Sequence, residues 1–334
     1  MQLQLELQRH AVADPVSAIT AVVRPILRGT LYALQHARVE RFGGYENIRL
    51  DDLAREYRAG DGDCGICFEY AVHDAVRRRD PMVADRIDDV LDRFCRIRGD
   101  APQSILFGAE KSGSQRLIET AKELLTHESM LMSGNRGRPV LLRRHLERAA
   151  REFRVQKQPS ALPMSIRGLW KADLFLGRAG ADRWVATTVK INPTQLEGAP
   201  GLRVGVVPAA ARSDAPYLDS HRNLVVCPLL HDGDFMEIFY TGWNVVRQLL
   251  AADARLPEEV NLPGSAARRV AKELADRRAF PVLEVIEALM PQAQPELLET
   301  DAVDAKVVVP DLKAGRSQRL EIGSIVAPIS REAE

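Results

Sequence analysis

Residues 62–76, GDCGICFEYAVHDAV, carry Cys64, Cys67, Glu69 and His73 on a segment whose other residues repeat at helical spacing. Three chemistries fit those residue types. A thiol at a helix N-terminus is a candidate nucleophile, because the helix dipole favours the thiolate, and Cys64 stands at that place. The C-x-x-C spacing of Cys64 and Cys67 is also that of metal and redox pairs. A zinc site wants a second such pair or spaced histidines, which Cys95 and Cys227 do not supply. A redox pair follows a strand of a βαβ unit, which the preceding LAREYRAGDGD does not resemble. The third chemistry belongs to Glu69, whose carboxylate can ligate a hard cation. His73, one turn later, shares its face and either joins that group or is merely hydrogen-bonded.

A second set of polar residues lies on two strand-like runs, WKADLFLG and RWVATTVKIN, joined by the turn-like GRAGAD. Side chains alternate along a strand, so Ala172, Leu174 and Leu176 share one face and Lys171, Asp173 and Phe175 the other. In the second run Val185, Val189 and Ile191 share a face, leaving Trp184, Thr188, Lys190 and Asn192 opposite. If the runs form a hairpin with both aliphatic rows in the core, Asp173 projects on the side of Thr188 and Lys190. Such a carboxylate and lysine make either a cross-strand ion pair on a solvated face or a hard-cation site. Mg²⁺ favours one or two carboxylates with backbone carbonyls and waters, and a nearby ammonium can orient water or steady charge at phosphorus.

Elements that could position these groups follow from apolar periodicity. Residues 15–41 have helical spacing, with Pro25 expected to break or kink the run. Helices are expected over 66–79, 82–97, around 115–126, over 139–154 and from a cap at Asp234 through DFMEIFYTGWNVVRQLLAAD, with further helix in 264–290. Strands are expected at SILFGAE (104–110), through the runs from 164 to about 230, and late in the chain at KVVVP and RLEIGSIVAP. The order gives an α/β fold, a mixed β-sheet core flanked by helices with N- and C-terminal helical additions. Expected regions are a helical 1–60, a core over 61–252 with a helical insertion at about 80–160, and a helical 253–334 with the late strands.

An aspartate on one strand, then a [D/E/Q]-x-K triplet on the next, resembles the PD-(D/E)XK nucleases, the restriction-endonuclease-like family. Many members add a glutamate from a preceding helix in a G-x-x-F-E sequence. GICFE supplies Gly65, Phe68 and Glu69, KAD supplies Asp173, and TVK supplies Thr188 and Lys190. The resemblance implies a restriction-endonuclease-like core that cuts or binds nucleic acid, DNA above all, with Mg²⁺ or Mn²⁺. Glu69, Asp173 and the Val189 carbonyl would be metal ligands and Lys190 the catalytic lysine. It also implies a setting in prokaryotic restriction or phage defence, sometimes beside an NTPase or other defence-system partner. Thr188 departs from the pattern, since an acidic residue or glutamine is usual there; it leaves at best a weak hydroxyl ligand and permits a binding-only descendant. The hundred or so residues between the glutamate helix and the aspartate strand require a substantial insertion.

Lysine plus arginine equals aspartate plus glutamate, 46 each, so a polyanion site must come from a local cluster. RGRPVLLRRHLERAAREFRVQK (136–157) is such a cluster, with Arg143 beside Arg144, Arg148 and Arg151, which recur at i, i+4 and i+7 as a cationic ridge. Paired with acidic neighbours, the same run is an ordinary solvated face. GAEKSGS (108–114) lacks the G-K-[ST] ending of a phosphate loop, and HDGD (231–234) reads as a turn before a capped helix. GDCGICF also resembles the nucleophile loops of papain-like and transglutaminase-like folds. A cysteine hydrolase would need a histidine on a strand, whereas His221 and His231 lie in turn-like segments. Four cysteines are no disulfide framework, no apolar run reaches the length of a membrane span, and the N-terminus lacks a signal-peptide core, so the expected location is the cytoplasm.

Overall fold

The computed structural model describes residues 4–12, 14–58, 60, 63–107, 123–132, 140–147, 172–178, 181–198, 203–209, 215–229, 235–257, 259–293, 300–311 and 316–326. Its helices are α1 (Pro15–Tyr32), α2 (His36–Arg41), α3 (Leu50–Glu56), α4 (Cys64–Arg78), α5 (Pro81–Arg93), α6 (Phe235–Ala251), α7 (Gly264–Asp276) and α8 (Val282–Ala288). Its strands are β1 (Gln4–Val12), β2 (Pro102–Leu106), β3 (Met130–Leu131), β4 (Val140–Leu141), β5 (Leu174–Arg178), β6 (Arg183–Val189), β7 (Arg203–Pro208), β8 (Tyr217–Asp219), β9 (Leu224–Leu229), β10 (Thr300–Asp311) and β11 (Arg316–Val326).

The main sheet runs β2-β5-β6-β7-β9-β8, with β3 beside β6 and β4 beside β3. β2, β5 and β6 form an antiparallel meander, β6, β7 and β9 are parallel, and β8 returns antiparallel on β9. Two-residue alternation divides the sheet's side chains cleanly. Leu174, Leu176, Val185, Val189, Val204, Val206, Val225 and Cys227 enter one cluster with the apolar stripes of α1, α4, α5, α6, α7 and α8. Ile105, Phe175, Trp184 and Ala186 face the other way and pack on Leu125, Leu131, Leu142 and Leu146. The fold is therefore mixed α/β, a sheet of mixed polarity flanked by helices. Ala172 joins this second cluster instead of following Leu174, because β5 begins only at Leu174 and alternation does not extend back to it.

Helix ends follow local chemistry. Asp63 caps α4 by accepting the Ile66 N–H at 3.0 Å, and Asp14 caps α1 by accepting from Val16. α1 does not break at Pro25; the helix continues through it, buried from Ile19 to Leu27, so packing outweighs the lost backbone bond. At Gly29 a Cβ would lie 3.1 Å from the Cys67 Cα, so glycine lets α1 approach the backbone of α4. The expected helix over 139–154 starts as β4 and is helical only over 142–147 within the described residues. The polar–apolar alternation of residues 4–12 forms β1, which pairs antiparallel with β10, itself antiparallel to β11, in a second, three-stranded sheet. Among the described residues no helix is long and apolar enough to cross a membrane.

Candidate functional site

Asp173 sits just ahead of β5 with its backbone tied to both neighbours. Its N–H donates to the Thr187 carbonyl at 2.9 Å, and its own carbonyl accepts from Phe107 at 2.8 Å. One oxygen of its buried carboxylate, Oδ2, collects three donors: Thr188 Oγ1 at 3.0 Å, the Val189 N–H at 2.8 Å and Lys190 Nζ at 2.9 Å. The side expected from strand parity is thus the side observed. The ladder's last paired residues are Leu174 and Thr187, and beyond them the Asp173 side chain takes the place of a backbone acceptor for Val189. Among the described residues Oδ1 accepts no hydrogen bond.

Glu69 reaches the same point from α4, with its Oε1 3.5 Å from Lys190 Nζ. The lysine ammonium therefore lies between two carboxylates from distant parts of the chain. Burial works against the Lys190 charge, but Asp173 and then Glu69 outweigh it and hold its pKa above the ordinary lysine value. A lysine so held is a fixed cation and not a base.

Arg203, absent from the sequence-derived set, completes the group. It opens β7 opposite Ala186, so alternation places it on the Thr188 side of the sheet, and it is 5% exposed. Burial lowers its pKa, while the charges of Asp173 and Glu197 act the other way. A charged residue opening the otherwise apolar run RVGVVP was the available signal. Lys190 and Arg203 thus bring two cations to the carboxylates of Glu69 and Asp173, with Glu197 acting on Arg203 from outside.

The remaining candidates separate from this centre. Thr188 donates its proton to Asp173, which commits its hydrogen but not its oxygen lone pairs. His73 is buried against β2, with Nδ1 2.9 Å from Ser104 Oγ; burial first, then Arg77 and Arg28, push its pKa down to about 3. It is a neutral link between helix and sheet, not an acid–base group. Cys64 lies at the N-terminus of α4, but burial and the adjacent Asp63 carboxylate raise its pKa to about 11, against the lowering expected from the dipole. No imidazole hydrogen-bonds to it among the described residues. Cys67 is buried against α1, within 3.6 Å of Thr30 Oγ1 and of the Ile26 carbonyl. Arg143 turns inward to the Leu125 carbonyl at 3.4 Å and to Glu147 at 3.4 Å, which removes it from a cationic ridge. Arg144 is exposed, whereas Arg148, Arg151, Lys171, the 108–114 loop and the HDGD segment with His231 lie outside the described residues.

Among the described residues no group of three or more His, Cys, Asp or Glu side chains could hold a metal ion. The donor set suited to Mg²⁺ is smaller than that: two carboxylates, one with an open oxygen, and backbone carbonyls. Glu69 and Asp173 supply two such carboxylates, with the Lys190 ammonium standing between them at 3.5 and 2.9 Å. Comparison with protein-family models, with curated proteins and with solved structures found no match to this chain.

Proposed function

We propose that this chain is a metal-dependent phosphodiesterase acting on nucleic acid, DNA above all, with a core of the PD-(D/E)XK, restriction-endonuclease-like kind. One observation carries the reading. A helix glutamate, an aspartate entering one strand and a lysine leaving the next meet through a single ammonium, 3.5 Å and 2.9 Å from the two carboxylates. The antiparallel β5–β6 hairpin continuing into parallel β7 adds topological support.

Glu69, Asp173 and the Val189 carbonyl would hold the ion, Mg²⁺ or Mn²⁺, which when bound polarises a phosphate oxygen and lowers the pKa of a water. The rest falls to the protein. Lys190, fixed as a cation, steadies the negative charge that develops at phosphorus. Thr188 and the Val189 N–H keep one face of the Asp173 carboxylate occupied, which leaves Oδ1 as its working atom. Arg203 adds a second buried cation beside Asp173. In the defence setting that the family resemblance implies, ATP-dependent steps would belong to a separate partner protein.

The Thr188–Asp173 hydrogen bond favours a second reading, a nucleic-acid-binding module of the same fold that no longer cuts, because the third acidic position has become a donor. Incubation of the purified chain with duplex DNA, single-stranded DNA and RNA, with Mg²⁺, Mn²⁺ or chelator, separates the two. The first reading requires metal-dependent cleavage lost in Asp173→Ala and Lys190→Ala. Salt-sensitive binding without cleavage, weakened by neutralising Arg144, Arg148 and Arg151, selects the second.

A further inference from the structure

At the far end of the same hairpin the surface carries a recess of about 460 Å³ lined by Arg96, Arg98, Arg183, Met130, Ala181 and Asp182. Arg183 opens β6 and Lys190 follows its last residue. Seven strand steps of ~3.3 Å each put the two about 23 Å apart. The recess is thus separate from the centre at Asp173.

Its charge is local and one-sided. Three guanidiniums face one carboxylate in a chain whose total charge is zero. The carboxylate, Asp182, already accepts the Thr126 hydroxyl at 2.6 Å. Arg98 has only a solvent-exposed contact with Asp92 at 3.5 Å. The exposed side chains of Arg96 and Arg183 have neither a hydrogen-bond nor an ion-pair partner among the described residues.

The backbone that carries two of these arginines is also held in place. Buried Arg178 of β5 donates through Nε to the Ile97 carbonyl at 2.7 Å, and through NH1 to Gly99 and Asp100 at 3.2 and 2.9 Å and to Asp88 at 2.6 Å. One guanidinium thereby fixes the loop that bears Arg96 and Arg98. Arg96 itself takes a left-handed backbone, φ 53°, where the chain leaves α5 and the Ile97 N–H turns back to the Leu91 carbonyl at 2.8 Å.

We infer that this recess binds a small phosphate ester, with the phosphate on Arg96, Arg98 and Arg183 and the organic part on Met130 and Ala181. Guanidinium forks match phosphate oxygens in pairs, and unpaired, weakly hydrated arginines give up little on engaging them. The volume lies within the range of small-molecule sites and exceeds what bare phosphate needs.

Calorimetric titration of the full chain with adenosine 5′-monophosphate, inorganic phosphate and a short blunt DNA duplex tests this. Expected is saturable, salt-sensitive binding of the nucleotide, tighter than that of phosphate, weakened about tenfold or more by each of Arg96→Glu and Arg183→Glu. Both side chains are exposed, and an unchanged melting temperature verifies that the variants fold. The inference is overturned if the nucleotide does not bind, if phosphate binds equally well, if only the duplex binds, or if the charge reversals leave affinity unchanged. The readout is binding, so it stands or falls independently of any cleavage at Asp173.

Discussion

Thr188 gives its hydroxyl proton to Asp173 Oδ2 across 3.0 Å, one step beyond the last paired residues of the β5–β6 ladder. A residue that would be acidic in the resembling family is here a donor to its neighbour's carboxylate. Thr188→Ala should cost about 1 kcal/mol through the lost hydrogen bond. Thr188→Glu adds a third carboxylate at a buried position, so it should melt lower in chelator and gain more from Mn²⁺ than the parent chain. Thermal melts with and without metal measure this, and equal Mn²⁺ shifts in parent and variant count against a cation site.

Lys190 links the pH dependence of stability to the site. Its folded pKa is raised, so its contribution is fully present below the unfolded lysine value of 10.5 and is lost as pH climbs through the folded value. Lys190→Met should be destabilised at neutral pH, with Glu69 and Asp173 left to Arg203 as the remaining buried cation, and should lose less on further alkalinisation. Melting curves from neutral to strongly alkaline pH compare the two slopes.

His73 works in the opposite direction. Its folded pKa near 3 lies below the ordinary 6.5, so the neutral imidazole stabilises the fold above pH 6.5. That stability is lost as pH falls toward 3, at a slope of about 1.4 kcal/mol per pH unit from this one group. His73→Gln should flatten the acid limb, and NMR of the imidazole should show no titration between pH 5 and 8. A midpoint near 6.5 would remove the buried link to Ser104.

Cys64 should behave as a suppressed thiol. With its pKa at about 11, alkylation by iodoacetamide should be slow at neutral pH and rise toward that value. Cys64→Ser should leave any cleavage activity unchanged. Fast neutral labelling of Cys64, with loss of activity in the serine variant, would restore the thiol reading.

Gly177 stands opposite Trp184 in the hairpin, and a Cβ there would lie 2.5 Å from the indole ring. Gly177→Val should therefore cost about 1–3 kcal/mol through overpacking, read as a lower denaturation midpoint.

Local pattern made much of the site's framework legible. Alternation through DLFLG and WVATTVK fixed which side chains share a face, because successive side chains of a strand point to opposite sides of the sheet. Hence Asp173, Thr188 and Lys190 could be grouped before any contact was known. Helical spacing likewise indicated α4, expected over 66–79 and observed over Cys64–Arg78. The break that Pro25 allowed does not occur, because propensity is local whereas the packing of α1 against its neighbours is not.

What the sequence by itself determined is periodicity: which residues are helical or extended and which faces are apolar. Only the tertiary structure decided what meets across those faces. The parallel pairing of β6 with β7 brought Arg203 to Asp173, and the packing of α4 brought Glu69 to Lys190. Burial then turned His73 and Cys64 from reactive candidates into a structural link and a quiet thiol. The physical reason is that the cost of charging a group depends on its solvation and on charges distant in sequence, which no spacing of residues records.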